Sequence, residues 1–99
     1  MLEEQRNKID RIDDEIARLL AERLSVVDEV AMKKKEKNLP ILNSDREQEI
    51  LSRLTKDQED EISVYTKILF NTIFDLSRLR QEALIGSTTE KENSKKECI

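Results

Sequence analysis

The chain has 99 residues and a formal net charge of −4, so it predicts one domain and argues against general nucleic-acid binding. Charged residues make up 40% and apolar residues 36%, with one glycine and one proline, which together predict long helices rather than sheet. The N-terminus lacks an apolar signal segment, and no stretch approaches about 18 apolar residues. We therefore expect neither a signal peptide nor a membrane span.

The first predicted helix covers about residues 3 to 37, a stretch without glycine or proline. Its apolar positions alternate at spacings of three and four, as one helix face requires: Ile9, Ile12, Ile16, Leu19, Val26 and Val30. Arg23 occupies the position where this stripe lacks a hydrophobe, and Lys34 also falls near its middle. Buried cations are costly unless an anion meets them. Both a structural carboxylate and a bound anion fit this pattern.

The first helix would be about 50 Å long, which is more than one small domain needs. An aliphatic core on such elongated helices buries little surface within one chain. We therefore expect a second copy to supply the missing burial, giving a helical homodimer.

Pro40 interrupts the first helix, and a second is expected to begin near Ser44. Ser44 and Glu47 have the spacing of a capping box, with Ser44 as the N-cap. A third helix is predicted from about residue 61 to 85 and ends at Gly86, a typical C-cap residue. The ordered domain therefore covers residues 1–86.

The third helix carries a main apolar stripe and, beside it, a row at spacings of four, three and four: Phe70, Phe74, Ser77 and Gln81. For Ser77 and Gln81 alone, a solvated helix edge is the simpler interpretation. Residues 87–99 have no periodicity and few hydrophobes, so they predict a disordered polar tail. The single cysteine, Cys98, cannot form an intrachain disulfide, and a reducing cytoplasm is expected.

The polar positions that face inward share one chemistry. Arg23 and Lys34, with Arg46, Ser77 and Gln81, would present cations and hydrogen-bond donors to a common interior. Such a set suits a small dianion, because arginine binds carboxylates through two parallel hydrogen bonds. No serine or cysteine stands beside a recognisable base, so a reaction that needs only placement and charge stabilisation fits best.

Four strings in the chain carry a resemblance to a known family: QRNKIDRIDDEI with Arg6, LLAER with Arg23, NSDRE with Arg46 and Glu47, and SRLRQ with Ser77 and Gln81. Together with Lys34, in this order on three helices, they resemble the all-helical chorismate mutases of the shikimate pathway. The resemblance covers about residues 2 to 85. It implies an all-α, three-helix chain in an intertwined homodimer.

The resemblance also implies an activity, the Claisen rearrangement of chorismate to prephenate in phenylalanine and tyrosine biosynthesis. This reaction needs no cofactor and no covalent intermediate. By the family pattern, Arg6 is lent to the site of the opposite chain, where it binds a carboxylate with Arg23. Lys34 bridges a carboxylate and the ether oxygen of the breaking bond, and Gln81 donates to the same oxygen.

The remaining positions match the family pattern with one departure. Glu47 would accept the ring hydroxyl, with Arg46 beside it and Ser77 near a carboxylate. Asn43 stands where close relatives often carry aspartate. This change is mild if the contact is made through the backbone, and it affects substrate binding if the side chain takes part.

Two other functions fit the same scaffold. A non-catalytic helical dimer would have lost its inward charges, because unfilled buried charges reduce stability. Arg23, Lys34 and Gln81 are all present. An isochorismate pyruvate lyase shares the fold, and Ser77, Gln81 and the Arg46–Glu47 pair favour the mutase over it.

Overall fold

A computed structural model describes residues 1–86. All regular structure in this range is helical: α1 (Glu3–Lys37), α2 (Ser44–Thr55) and α3 (Asp60–Ile85). The predicted all-α class and the order of its three helices are confirmed. None of these helices is long and apolar enough to cross a membrane. The tail predicted for residues 87–99, including Cys98, lies outside the described residues.

The connection after α1 begins with a left-handed turn. Asn38 has φ 57° and ends the helix, since asparagine tolerates this conformation better than most residues. The N–H groups of Asn38 and Leu39 donate to the carbonyls of Lys35 and Lys34, at 3.3 and 2.9 Å. Ile41 then becomes buried, and the chain turns back towards α2.

The N-terminus of α2 differs from the prediction. Its N-cap is Asn43, whose side-chain oxygen accepts the N–H of Arg46 at 3.1 Å. The predicted capping box with Ser44 as N-cap is therefore wrong, because asparagine caps at least as well as serine and stands one residue earlier. This shift places Glu47 beyond the N3 position, so its carboxylate does not return to the cap.

The core lies where α3 packs on α2 and on the second half of α1. Ile50, Leu51 and Phe74 form its buried cluster, and Leu54 and Phe70 pack against it. The two phenylalanine rings meet edge to face, with centroids 6.1 Å apart, a favoured aromatic geometry. From α1, Val27 and Ala31 are buried.

The polar end of the row on α3 is buried rather than solvated. Ser77 and Gln81 are only 7% and 6% exposed, so the interpretation as a solvated helix edge is wrong. The row continues from Phe70 and Phe74 along the face that α3 turns towards the rest of this chain. The residues of the main stripe of α3 are mostly exposed, among them Ile62, Tyr65, Leu69, Leu76 and Leu79.

The first half of α1 projects from the rest of the chain. All residues from 1 to 19 are exposed, and the described chain measures 56 × 26 × 18 Å. The apolar stripe of α1 begins here and continues into the second half of the helix. Each of its side chains is at least 39% exposed: Ile9, Ile12, Ile16, Leu19, Val26 and Val30. A row of exposed hydrophobes of this length, interrupted at Arg23, is typical of a surface that contacts another molecule.

An ion pair joins α1 to α3 on the outer surface. The guanidinium of Arg80 donates to both carboxylate oxygens of Asp28, at 2.6 and 2.8 Å. This hydrogen bonding lowers the pKa of Asp28 below its ordinary value, and it raises the pKa of Arg80. The two-pronged geometry fixes the register of the two helices.

Candidate active site

A cavity of about 300 Å³ lies between the three helices and the connection after α1. Its polar lining contains seven of the eight site residues that the sequence predicts: Arg23, Lys34, Asn43, Arg46, Glu47, Ser77 and Gln81. Its apolar walls come from valines of α1 and from Ile41, Ile50 and Phe74. A mostly apolar cleft with a few convergent polar groups is typical of a small-molecule site.

Lys34 lies at the centre of a hydrogen-bonded contact between helices. Its Nζ donates to the carbonyl of Ile41 at 2.6 Å and to Oε1 of Gln81 at 3.0 Å. Because an ammonium group only donates, this contact turns the amide oxygen of Gln81 towards Lys34. The amide nitrogen of Gln81 is thereby kept as a donor. Lys33 and Lys35, the neighbours of Lys34, are exposed.

Arg23 crosses the cavity towards α3. Its Nη1 donates to the hydroxyl of Ser77 at 2.7 Å, and its guanidinium carbon lies 5.9 Å from the ring centroid of Phe74. Burial lowers the pKa of Arg23, the positive charge of Arg46 lowers it further, and Glu47 opposes the shift. A bound anion would remove this electrostatic cost.

The contacts of Arg23 show which partners this chain itself supplies to an inward cation. Within residues 1–86 no carboxylate forms an ion pair with it, and its hydrogen-bond partner is a neutral hydroxyl. The charge of Glu47 reaches Arg23 through space, and the arrangement within this chain is compatible with a bound anion.

Arg46 and Glu47 lie near the start of α2 and line the cavity. Arg46 is largely exposed and pairs with Glu49 at 2.8 Å. Glu47 pairs with Arg78 of α3, which also pairs with Asp75. Sequence reasoning missed Arg78, because its pairing joins positions 31 residues apart and no helical spacing announces it.

Arg6 is the predicted site residue that this chain does not bring to the cavity. It is exposed and lies 17 residues before Arg23 on the same helix, α1. At about 1.5 Å per residue this corresponds to roughly 25 Å along α1, which is well beyond the reach of an arginine side chain.

In residues 1–86, which the structure describes, no group of three or more Asp, Glu, His or Cys side chains is arranged to hold a metal ion. The polar groups that line the cavity are cations, neutral hydrogen-bonding groups and one carboxylate.

Together these features define an all-α domain with a cationic cavity built by three helices. Residues 5–82 match the family described as chorismate mutase type II, and this chain belongs to that family. The family and the class of enzyme that the sequence predicted, a chorismate mutase, are thus confirmed.

Two curated relatives are similar to this chain. The chorismate mutase of Methanocaldococcus jannaschii is 33% identical over 93 residues, which are 91% of this chain and 93% of that protein. The bifunctional chorismate mutase/prephenate dehydratase of Aquifex aeolicus is 40% identical over 78 residues, or 69% of this chain. The aligned part is only 22% of that longer protein. No solved structure matches with comparable significance.

Proposed function

We propose that this cavity binds chorismate and catalyses its Claisen rearrangement to prephenate, in the biosynthesis of phenylalanine and tyrosine. The observation that carries the proposal is the convergence of Lys34, Gln81 and Arg23, from two helices, on one cavity. The reaction is intramolecular, so the protein needs to supply placement and charge stabilisation without a nucleophile or a cofactor.

The two carboxylates of chorismate account for the positive charge of the cavity. Arg23 and Arg46 both line the cavity, and each offers a planar guanidinium that can donate two parallel hydrogen bonds to a carboxylate. The lowered pKa of Arg23 supports this role, because burial and the neighbouring charge of Arg46 disfavour its positive charge more than Glu47 favours it, and a substrate carboxylate would offset that cost. The hydroxyl of Ser77, which accepts from Arg23 at 2.7 Å, would lie beside the same substrate carboxylate.

The breaking ether bond would lie against Lys34 and Gln81. Negative charge builds on the ether oxygen in the transition state, so an ammonium and an amide donor bind that state more strongly than the substrate. Their mutual contact at 3.0 Å keeps both groups in place before chorismate enters. Preorganisation of this kind avoids reorganisation during the reaction.

Glu47 and Asn43 would serve the ring side of the substrate. The Glu47 carboxylate is an acceptor and suits the ring hydroxyl. Asn43 caps α2, so its main contribution is to fix the helix that carries Arg46 and Glu47. Aspartate in its place would cap equally well.

The complete enzyme would be an intertwined homodimer that shares its sites. The exposed stripe of α1 offers the apolar surface that a second copy would cover, and Arg6 lies on this projecting half. Arg6 is too far from the cavity of its own chain to reach it. In a two-fold symmetric dimer each chain could instead supply its Arg6 to the cavity of the other. A cytoplasmic location stays a prediction from the sequence.

The test is to add chorismate to the purified protein, follow the loss of its near-ultraviolet absorbance and identify prephenate by chromatography. Isochorismate is supplied in parallel, with pyruvate measured. Formation of prephenate supports the proposal. Pyruvate release from isochorismate without prephenate would assign the lyase, and no turnover of either compound would indicate a non-catalytic helical dimer.

A further inference from the structure

Arg78 forms an ion pair with Glu47, the one carboxylate among the residues that line the cavity. On α3, it pairs with Oε2 of Glu47 through Nη1 and with Asp75 through Nη2. The side chains of Arg78 and Glu47 are 27% and 23% exposed, whereas Asp75 is 68% exposed. Water therefore screens the pair with Asp75 more than the pair with Glu47.

The charge of Glu47 is a problem for a site that takes a dianion. Among the residues that line the cavity, Glu47 is the single carboxylate, and it would repel both substrate carboxylates. Arg78 does not line the cavity, so it cannot serve as a further substrate-binding cation. It compensates Glu47 from the side that faces away from the ligand.

The same contact also fixes the direction of the Glu47 side chain. In residues 1–86 its hydrogen-bonding partner is the guanidinium of Arg78, which takes Oε2. Oε1 is then available to accept a hydrogen bond from the cavity side. A carboxylate held at one oxygen loses little conformational freedom when a hydroxyl binds the other.

We propose that Arg78 is a positioning residue for this enzyme, one that orients the carboxylate of Glu47 and offsets its charge so that the cavity accepts a dianion. The inference rests on the proposed function, because it assigns Glu47 to the ring hydroxyl of chorismate. Arg78 contacts no substrate and acts through Glu47.

The test is a double-mutant cycle on the full chain with chorismate as the probe. Arg78→Met keeps much of the side-chain length and removes the charge. We expect it to raise KM about tenfold, a typical coupling between contacting charged groups, with a smaller fall in kcat. In the Glu47→Gln background the same change should alter kcat/KM less than about twofold, because the charge to be compensated is gone. Arg78→Lys, which keeps the positive charge, should have a KM close to that of the parent chain.

The matched control is Arg80→Met, since Arg80 is also on α3 and forms an ion pair with another helix, through Asp28, a residue outside the cavity lining. It should leave KM unchanged. An Arg78→Met effect of equal size in both backgrounds, or one that Arg80→Met reproduces, would mean a general structural role and overturn the inference. A parent chain that does not turn over chorismate refutes the proposed function itself, whereas an active parent with an unaffected Arg78→Met variant refutes only this inference.

Discussion

Lys34 and Gln81 meet across 3.0 Å although 47 residues separate them in sequence. One stands near the end of α1 and the other near the end of α3. Because Lys34 also donates to the carbonyl of Ile41, its ammonium is held at two points. If the proposed function is right, these contacts hold two donors side by side for the charge that develops on the ether oxygen, as electrostatic catalysis needs.

The three consecutive lysines of α1 should differ sharply in their effects. Lys34→Ala should lower kcat/KM by roughly 10²-fold or more, the usual effect of removing one preorganised electrostatic group. Lys33→Ala and Lys35→Ala should change it little, since both side chains are exposed. Steady-state kinetics on the three variants measures this, and equal losses at all three positions would contradict the assignment.

The pH profile should respond to Gln81. The parent has a neutral amide there, which donates at every pH, so activity should hold from about pH 6 to 8. In Gln81→Glu the new carboxylate must be protonated to donate, and the ammonium of Lys34 beside it favours the ionised form. Activity should therefore shift to acidic pH. A variant profile as flat as that of the parent would show that position 81 does not touch the reacting oxygen.

The cap of α2 gives a stability prediction. Asn43→Ala removes the acceptor for the N–H of Arg46 and should lower the free energy of unfolding by about 1 kcal/mol. Asn43→Asp keeps a cap and should cost much less. Ser44→Ala should also be mild, because Ser44 is the first helical residue rather than the cap. Denaturant unfolding of the three variants measures these differences in the free energy of unfolding. A larger loss in Ser44→Ala than in Asn43→Ala would contradict Asn43 as the N-cap and support the capping box.

Acidic pH should remove the contribution of the Asp28–Arg80 ion pair to the stability of the fold. Arg80 lowers the pKa of Asp28 below its ordinary value of 3.8, so the folded state favours the ionised carboxylate. This stabilisation is present above that ordinary value and is lost as the pH falls through the lowered pKa. Asp28→Asn should therefore have a slightly lower Tm than the parent at neutral pH and the same Tm in strong acid. A difference that persists in acid would point to packing instead.

Mixed dimers test the shared site. Arg6→Ala and Arg23→Ala chains, each inactive alone, are unfolded and refolded together. A mixed dimer has one site with both arginines intact and one with both missing. Random pairing makes about half of the dimers mixed, so roughly a quarter of all sites should recover, as two-fold symmetry requires. Native mass spectrometry confirms mixing, and activity that stays at the level of the separate variants would refute the exchange of Arg6.

The helices and the inward cations were predictable because they depend on local pattern. Apolar periodicity, Pro40 and Gly86 are sufficient to place both ends of α1 and α3 and the start of α2 within about a residue. The phase of α1 likewise distinguishes Lys34 from its two neighbours. These signals lie within one helix or its ends, where spacing alone decides which face a side chain occupies.

Features that depend on two elements were harder to predict. Whether Asn43 or Ser44 caps α2 depends on the backbone path after Ile41, and residue spacing does not predict that path. The pairing of Arg78 with Glu47 depends on how α3 lies against α2. Likewise the burial of Ser77 and Gln81 follows from which face of α3 turns inward, and a helix with apolar residues on two faces leaves that choice to tertiary packing.

In the proposed shared-site homodimer, the projecting half of α1 would make activity depend on protein concentration. A helical segment without tertiary packing has little stability of its own in water, and residues 1 to 19 contact little else in the chain. If a second copy orders this segment and supplies Arg6, folding of the segment, pairing of the chains and completion of the site become one bimolecular event. Near its dissociation constant, such an enzyme would gain activity more steeply than in proportion to the amount of chain made.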